Sequence, residues 1–185
     1  MVRVIGGEFR SRLLKSLPGL GTRPTPDRLR ETLFDILSER IEGADFLDAY
    51  AGTGAVGIEA LSRGARRAIF IERSRVAAGV IRENLRTLGL GADRAVVAIG
   101  KAVSLLSRFH ASIVFLDPPY DRQEEYEAAF RALVSQPPEL VIAQHVSRFK
   151  PAEAYGPLRQ FRTVRQGDNS LSFYRVAKED PLCVE

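Results

Sequence analysis

One ten-residue stretch constrains this chain more than any other: Asp48-Ala49-Tyr50-Ala51-Gly52-Thr53-Gly54-Ala55-Val56-Gly57. It follows the apolar pair Phe46-Leu47 and opens a helical pattern of Val56, Ile58, Ala60 and Leu61. Strand, tight glycine turn, helix is the start of a βαβ unit. The glycines let the backbone turn sharply and approach a ligand with no Cβ between them. Gly52, Gly54 and Gly57 satisfy G-x-G-x-x-G, so a dinucleotide and S-adenosylmethionine (SAM) both have to be weighed. Asp48 favours the second. A carboxylate at the strand end repels a pyrophosphate, which wants bare N–H groups and a helix dipole. It is compatible with the ammonium and sulfonium of SAM.

The rest of the chain supplies a doubly wound setting. Apolar runs at 44–48, 68–72, 95–99, 112–116 and 140–143 alternate with helical patterns, which predicts a parallel sheet. Residues 161–166 and 171–176 alternate around Gly167-Asp168-Asn169 and predict a closing antiparallel hairpin. The fold class is therefore α/β, with a mostly parallel, seven-stranded, Rossmann-like sheet. Before it, residues 2–14 suggest a hairpin turning on Gly6-Gly7. Thr25 and Pro26 are suited to cap and start a helix that runs to about Arg40. This divides the chain into an extension (1–43), a main domain (44–179) and a short tail (180–185).

Charge and cysteine content narrow the partners. The net charge is +4 over 185 residues. Residues 1–30 hold Arg3, Arg10, Arg12, Lys15, Arg23, Arg28 and Arg30 against Glu8 and Asp27, a net +5, so the remaining 155 residues sum to −1. That asymmetry points to a polyanion contacting the N-terminal segment. A single cysteine, Cys183, and two histidines, His110 and His145, argue against a disulfide within the chain and against a metal centre. No apolar run is long enough for a membrane span. The expectation is a reducing, cytoplasmic setting, a monomer, and neither metal nor membrane.

Two further positions carry chemistry. Glu72, at the end of the second parallel strand, is placed to accept both hydroxyls of a ribose. Asp117-Pro118-Pro119-Tyr120 ends the fourth, at the carboxyl edge where such sheets bind ligands. Two prolines remove two N–H donors and leave acceptors, the Asp117 carboxylate and the Pro118 carbonyl. This suits a substrate with two donors, a conjugated exocyclic NH₂. Tyr120 offers a flat face on which an extruded base can stack.

With these residues in view, the sequence resembles the bacterial RsmD family of 16S rRNA guanine-N2 methyltransferases, within the class I SAM-dependent methyltransferases. The resemblance covers nearly the whole chain. It is carried by residues 3–7, by Arg23-Pro24-Thr25-Pro26-Asp27-Arg28-Leu29-Arg30-Glu31-Thr32-Leu33-Phe34, and by the run from Asp48 to Ala65. Glu72, Glu83-Asn84-Leu85 and Asp117-Pro118-Pro119-Tyr120 complete it. The resemblance implies that Asp48, Ala51, Gly52, Thr53 and Gly54 hold the methionine part of SAM, Glu72 the ribose, and the Ala102 backbone N–H the adenine. It implies that Asp117, Pro118 and Tyr120 form the amine site, with Asp117 also bordering the cofactor. It gives the RNA contacts to the basic N-terminal residues and makes rRNA or a small-subunit assembly intermediate the partner. Two positions depart from the pattern: Lys101, where an acidic or amide side chain is common, and Gln144, where an acidic one is. Rivals are an amino-methyltransferase for adenine or cytosine of DNA or another RNA, a nicotinamide oxidoreductase, and a non-enzymatic RNA-binding module.

Overall fold

The computed structural model describes residues 2–17, 27–119 and 122–177. The elements are β1 (Val2–Arg3), β2 (Leu13–Leu14), α1 (Asp27–Ile36), β3 (Asp45–Asp48), α2 (Ala55–Ser62), β4 (Arg67–Glu72), α3 (Arg75–Thr87), β5 (Ala95–Ile99) and α4 (Ala102–Leu105). A 3₁₀ turn (Leu106–Arg108) leads into β6 (Ile113–Leu116), α5 (Glu124–Leu133), β7 (Leu140–Val146), β8 (Ala154–Tyr155), β9 (Leu158–Gln166) and β10 (Asn169–Val176).

The main sheet runs in the order β5-β4-β3-β6-β7-β10-β9-β8. Pairing is parallel from β5 to β7 and antiparallel from β7 to β8. The seven expected strands are present, and a two-residue eighth, β8, joins the edge. The inner parallel strands β4, β3, β6 and β7 are buried on both faces, as their unbroken apolar runs require, while the edge strand β5 is half-buried. On one face Phe46, Ile113, Phe115, Leu140, Ile142, Leu171 and Phe173 pack with α1 residues Leu29, Leu33 and Phe34 and α2 residues Val56 and Ala60. On the other, Leu47, Ile69, Val114, Leu116, Val141 and Tyr174 pack with α5 residues Tyr126, Ala129, Phe130 and Leu133.

The N-terminal hairpin differs from its expected form. Gly6-Gly7 is not the two-residue turn, because only Val2–Arg3 and Leu13–Leu14 pair and the chain reverses over the residues between. The two glycines instead let the arm lie against the end of α2. A Cβ on Gly7 would fall 1.8 Å from the Ser62 carbonyl oxygen, at φ +76°, and Glu8 N–H donates to that same oxygen at 2.7 Å. Glu59, fully buried, accepts from the backbone N–H groups of Ile5 and Gly6, each at 2.8 Å. Ser62 Oγ accepts from Phe9 N–H at 2.9 Å and donates to the Gly6 carbonyl at 2.5 Å. Val2, Val4 and Leu14 complete the attachment among Ile58, Leu61, Phe70, Ile81 and Leu85.

Candidate active site

At the end of β3 the chain leaves the sheet under three backbone ties. Ala49 N–H donates to Phe115 O and Ala51 N–H to Ile71 O, each at 3.0 Å, and Gly54 N–H closes the turn on Ala51 O at 2.7 Å. Gly52 and Gly54 have φ of +55° and +85°, left-handed conformations that a Cβ would strain. Space over Gly52 is open, since a Cβ there would meet nothing within 4 Å. Gly57 serves packing: a Cβ would lie 2.3 Å from the Phe70 ring, so its absence lets α2 settle on β4. The first two glycines thus shape a cradle and the third seats the helix behind it.

Two carboxylates organise that cradle. Glu72 Oε2 accepts from Gly52 N–H at 2.9 Å, and Oε1 from Ser74 N–H at 2.7 Å. Its carbonyl oxygen accepts from Gly100 N–H at 3.0 Å. Glu72 therefore joins the turns after β3, β4 and β5. A carboxylate offers about four lone-pair positions, so the half-buried Glu72 keeps acceptor capacity for two hydroxyls. Asp48 lies beneath the turn, only 2% exposed, with Oδ2 accepting from Gly57 N–H at 3.1 Å. Burial pushes its carboxyl up to about 7, and the charge of Glu72 adds to the rise against the hydrogen bonds from Gly57 and Tyr50. Two neighbouring carboxylates make this a poor seat for a pyrophosphate and a good one for a cationic ligand. The open face over Gly52, with acceptors beside it, fits SAM. Ala102 begins α4, where first-turn N–H groups lack helical partners, and Gly100 brings that turn to Glu72. Lys101 is exposed at the same turn.

The second half of the edge is built around β6, whose four residues are all buried. Asp48 pairs with Phe115, so Asp117 lies just beyond the register of the glycine turn, one strand spacing away, about 4.8 Å. Asp117 is half-buried, Pro118 buried and Pro119 exposed. Pro119 O accepts from Arg122 N–H at 2.9 Å, which returns the chain to α5. Tyr120 lies outside the described residues. β7 runs three residues past the predicted strand, and Leu116 pairs with Ala143, so the buried Gln144 stands level with Asp117. Its carbonyl accepts from Tyr126 O–H at 2.5 Å.

Two contacts at this edge escape a reading of the sequence. Asn84 is buried on α3. Its Nδ2 donates to Thr53 O at 3.2 Å and to Lys15 O at 3.1 Å, while Oδ1 accepts from Lys15 N–H at 2.8 Å. It clamps the basic arm to the glycine turn. The available signal is a lone amide on the apolar face of Ile81 and Leu85. Tyr50 O–H donates to Glu125 Oε2 at 3.1 Å, which ties the glycine turn to the first turn of α5. Burial, with Glu125 beside it, holds the Tyr50 hydroxyl well above the usual phenol range.

The basic residues divide. Arg3, Arg10, Arg12 and Arg28 are exposed, and Arg23 and the Thr25-Pro26 cap lie outside the described residues. Arg30 corrects the expectation of a surface contact. Its side chain has no exposed surface, and Nη2 donates to Arg3 O and to Asp27 Oδ1, each at 2.8 Å. It is a strut between β1 and the start of α1, and phosphate has no access to it. Among the described residues no group of three or more His, Cys, Asp or Glu side chains could hold a metal ion. No helix there is long and apolar enough to cross a membrane.

Comparison with known proteins agrees with this geometry. Residues 2–175 match the family model described as conserved hypothetical protein 95. The chain is 33% identical to YlbH of Bacillus subtilis, provisionally named an rRNA methyltransferase, over 94% of this chain and 98% of that one. It is 45% identical to ribosomal RNA small subunit methyltransferase D of Escherichia coli K12, over 65% of this chain and 61% of the relative. A solved structure of yhhF from Escherichia coli, provisionally named a methyltransferase, superposes with a TM-score of 0.82 at 33% identity, covering 96% of this chain and 99% of that one. A glycine turn held by two carboxylates, a donor-stripped proline loop one strand away and an arm clamped to the glycine turn agree with these likenesses: the chain belongs to the conserved hypothetical protein 95 family, the RsmD-like family of 16S rRNA methyltransferases.

Proposed function

We propose that this chain transfers a methyl group from SAM to the exocyclic N2 of a guanine in small-subunit (16S) rRNA. The observation that carries the proposal is the juxtaposition at one sheet edge. The carboxylate-held turn after β3 fits a cationic nucleoside, and Asp117-Pro118-Pro119 beside it presents acceptors with no proline N–H to compete. The bound sulfonium supplies an electrophilic methyl carbon. Glu72 binds the ribose hydroxyls, Ala51, Gly52, Thr53 and Gly54 form the seat of the methionine part, and the charge of Asp48 favours the ammonium. The Ala102 N–H meets the adenine. Asp117 and the Pro118 carbonyl accept the two amine protons of the guanine. This counters conjugation of the nitrogen lone pair with the ring and aims it along the line of displacement. The N–C bond forms as the C–S bond breaks, and the nitrogen then releases one proton to solvent. Tyr120 supplies the stacking face for the base. Protein residues contribute position and electrostatics, with no covalent enzyme intermediate.

Arg3, Arg10, Arg12, Arg23 and Arg28 are assigned to phosphates of the rRNA or of a small-subunit assembly intermediate. The arm that carries Arg3, Arg10 and Arg12 is fixed to α2 by Glu59 and Ser62, so RNA held there keeps a defined position relative to Asp117. Nucleoside mass spectrometry of rRNA from a strain lacking the protein tests the reading. N2-methylguanosine at one small-subunit position should be missing, and should return with the wild-type gene but not with Asp117→Ala. An unchanged modification profile would overturn the assignment, and labelled methyl appearing on DNA or on another base would redirect it.

A further inference from the structure

The whole-chain charge count conceals a second basic surface. Along β9 and β10, Arg159, Arg162 and Arg175 share the face that carries α1, with no acidic residue of either strand on that face, and all three are exposed. The sum over residues 31–185 hides them because acidic groups elsewhere compensate, among them Glu124, Glu125 and Glu127 in the first turn of α5. Those lie on an element packed against the opposite face of the sheet.

Phe161 sits among the arginines with 45% of its surface exposed. The register shifts here: Phe173 pairs with Arg162 and Tyr174 with Gln160, leaving Phe161 as the extra residue of a bulge. Its ring centroid is 6.3 Å from that of Phe173, which packs in the core beneath α1. Phe161 is thereby turned to the α1 side of the sheet, the side that also carries the basic arm. The Arg175 guanidinium lies 4.7 Å from the Phe161 centroid, and that of Arg162 lies 6.0 Å from Phe173.

We infer that this face of β9 and β10 is a second RNA-contacting surface, where Arg159, Arg162 and Arg175 take phosphates and an unpaired base stacks on the Phe161–Arg175 platform. The inference rests on the rRNA reading above. Guanidinium forks match phosphate oxygens, and flat aromatic and guanidinium faces are the usual stacking surfaces for unpaired bases. Beyond Arg159 the outer edge of β9 has no strand partner among the described residues, since β8 pairs only with Leu158 and Arg159. Charges on such an edge also block unwanted sheet pairing. That purpose accounts for arginines on β9. It does not account for Arg175, which sits on the inner strand β10 and stacks on an exposed ring. Asp35 of α1 and Glu39 just beyond it line the groove that holds Arg162, and Arg63 already pairs with Asp35 at 3.5 Å; Arg159, Arg162 and Arg175 leave this face with an excess of positive charge, and Phe161 is its one exposed large hydrophobic residue on these two strands.

The test uses full-length protein carrying Arg162→Glu and Arg175→Glu together, with Phe161→Ala as a separate variant. Binding to a 16S rRNA fragment is measured by anisotropy across a salt series, alongside thermal melting and SAM affinity. Loss of two phosphate contacts should lower the slope of log K against log salt by about 1.5 and weaken binding by about tenfold or more. Phe161→Ala should weaken binding to single-stranded segments by about tenfold with the slope unchanged. Melting and SAM affinity should stay at wild-type values. In methyl transfer the loss should appear in KM for RNA, with the rate at saturating RNA preserved. Wild-type slope and affinity in the folded charge-reversal variant overturn the inference. So does a loss seen only with protein-containing subunit particles, which would assign the face to a ribosomal protein. A wild-type protein that methylates no rRNA would defeat the proposed function, while the salt slope would still decide the surface.

Discussion

The two halves of the site edge are built by opposite means. After β3 and β4, acidic side chains gather backbone N–H groups: Glu72 holds Gly52 and Ser74, and Asp48 holds Gly57. After β6, two prolines remove N–H groups from the backbone beside Asp117. In the first half each carboxylate holds backbone N–H groups. In the proposed reading the second half meets the two amine protons of the incoming base. On that reading the contrast teaches a division of labour: hydrogen bonds within the protein shape the seat assigned to the cofactor, and the prolines strip N–H donors from the one assigned to the base. Each prediction below strikes one half and asks whether the other notices.

The largest effect is expected at Asp117. Asp117→Ala should lower the single-turnover methyl transfer rate by on the order of 10²–10³, the usual loss for one preorganised electrostatic contact to a transition state. SAM affinity should stay near wild type. Asp117→Asn keeps an acceptor oxygen without the charge and should fall between. A wild-type rate for the alanine variant would reduce the proline motif to a structural loop.

Glu72→Ala should do the reverse. Losing contacts between ribose hydroxyls and a charged acceptor costs about 1.5–3 kcal/mol, which weakens SAM binding by about 10- to 150-fold in calorimetry. The transfer rate at saturating SAM should change less. Equal losses in affinity and in saturated rate would show that the halves are not separable.

Asp48 offers a pH test. Its folded value of about 7 lies above its ordinary 3.8, so the folded protein holds this proton more tightly than the unfolded chain. Its contribution to stability is therefore fully present below about pH 4 and is lost as pH rises to about 7. A cationic ligand prefers the ionised form, so SAM affinity should climb with pH up to about 7, by at most about tenfold per unit, and then level off. Asp48→Asn should flatten both profiles. A flat affinity profile in the wild type would remove Asp48 from the ammonium site.

The smallest effect is expected on the arm. Arg10 and Arg12 are exposed; reversing both to Glu should weaken RNA binding several-fold and flatten its salt dependence. SAM affinity should not move, because the arm meets the cradle through Lys15 and Asn84 and not through these two side chains. An unaltered salt slope would make the arm a solvated flap.

Legibility in the sequence followed the range of the interactions. β3, β4, β5 and β6 were readable within a residue or so, because a buried parallel strand must be a short apolar run. Gly52 and Gly54 were readable because local backbone geometry selects glycine. Gly6-Gly7 misled for the same reason: a glycine pair announces permissive backbone but not whether a turn or a close neighbour needs it. Arg30 misled because a charge count treats every arginine as solvated. The second basic face escaped because summation over a long segment cancels charges that the fold sets on opposite faces.

The sequence by itself determined the alternation of strands and helices, the glycine turn, and which side chains end β3, β4 and β5. Each is set by residues within a few positions of one another. Tertiary structure alone decided what those side chains meet. Glu59 reaches Ile5 and Gly6 across more than fifty residues, Asn84 reaches Lys15 across sixty-nine, and Tyr50 reaches Glu125 across seventy-five. No local preference encodes such pairs. They exist because sheet order sets β3 between β4 and β6, and because burial leaves each polar group few partners other than the one the fold brings to it.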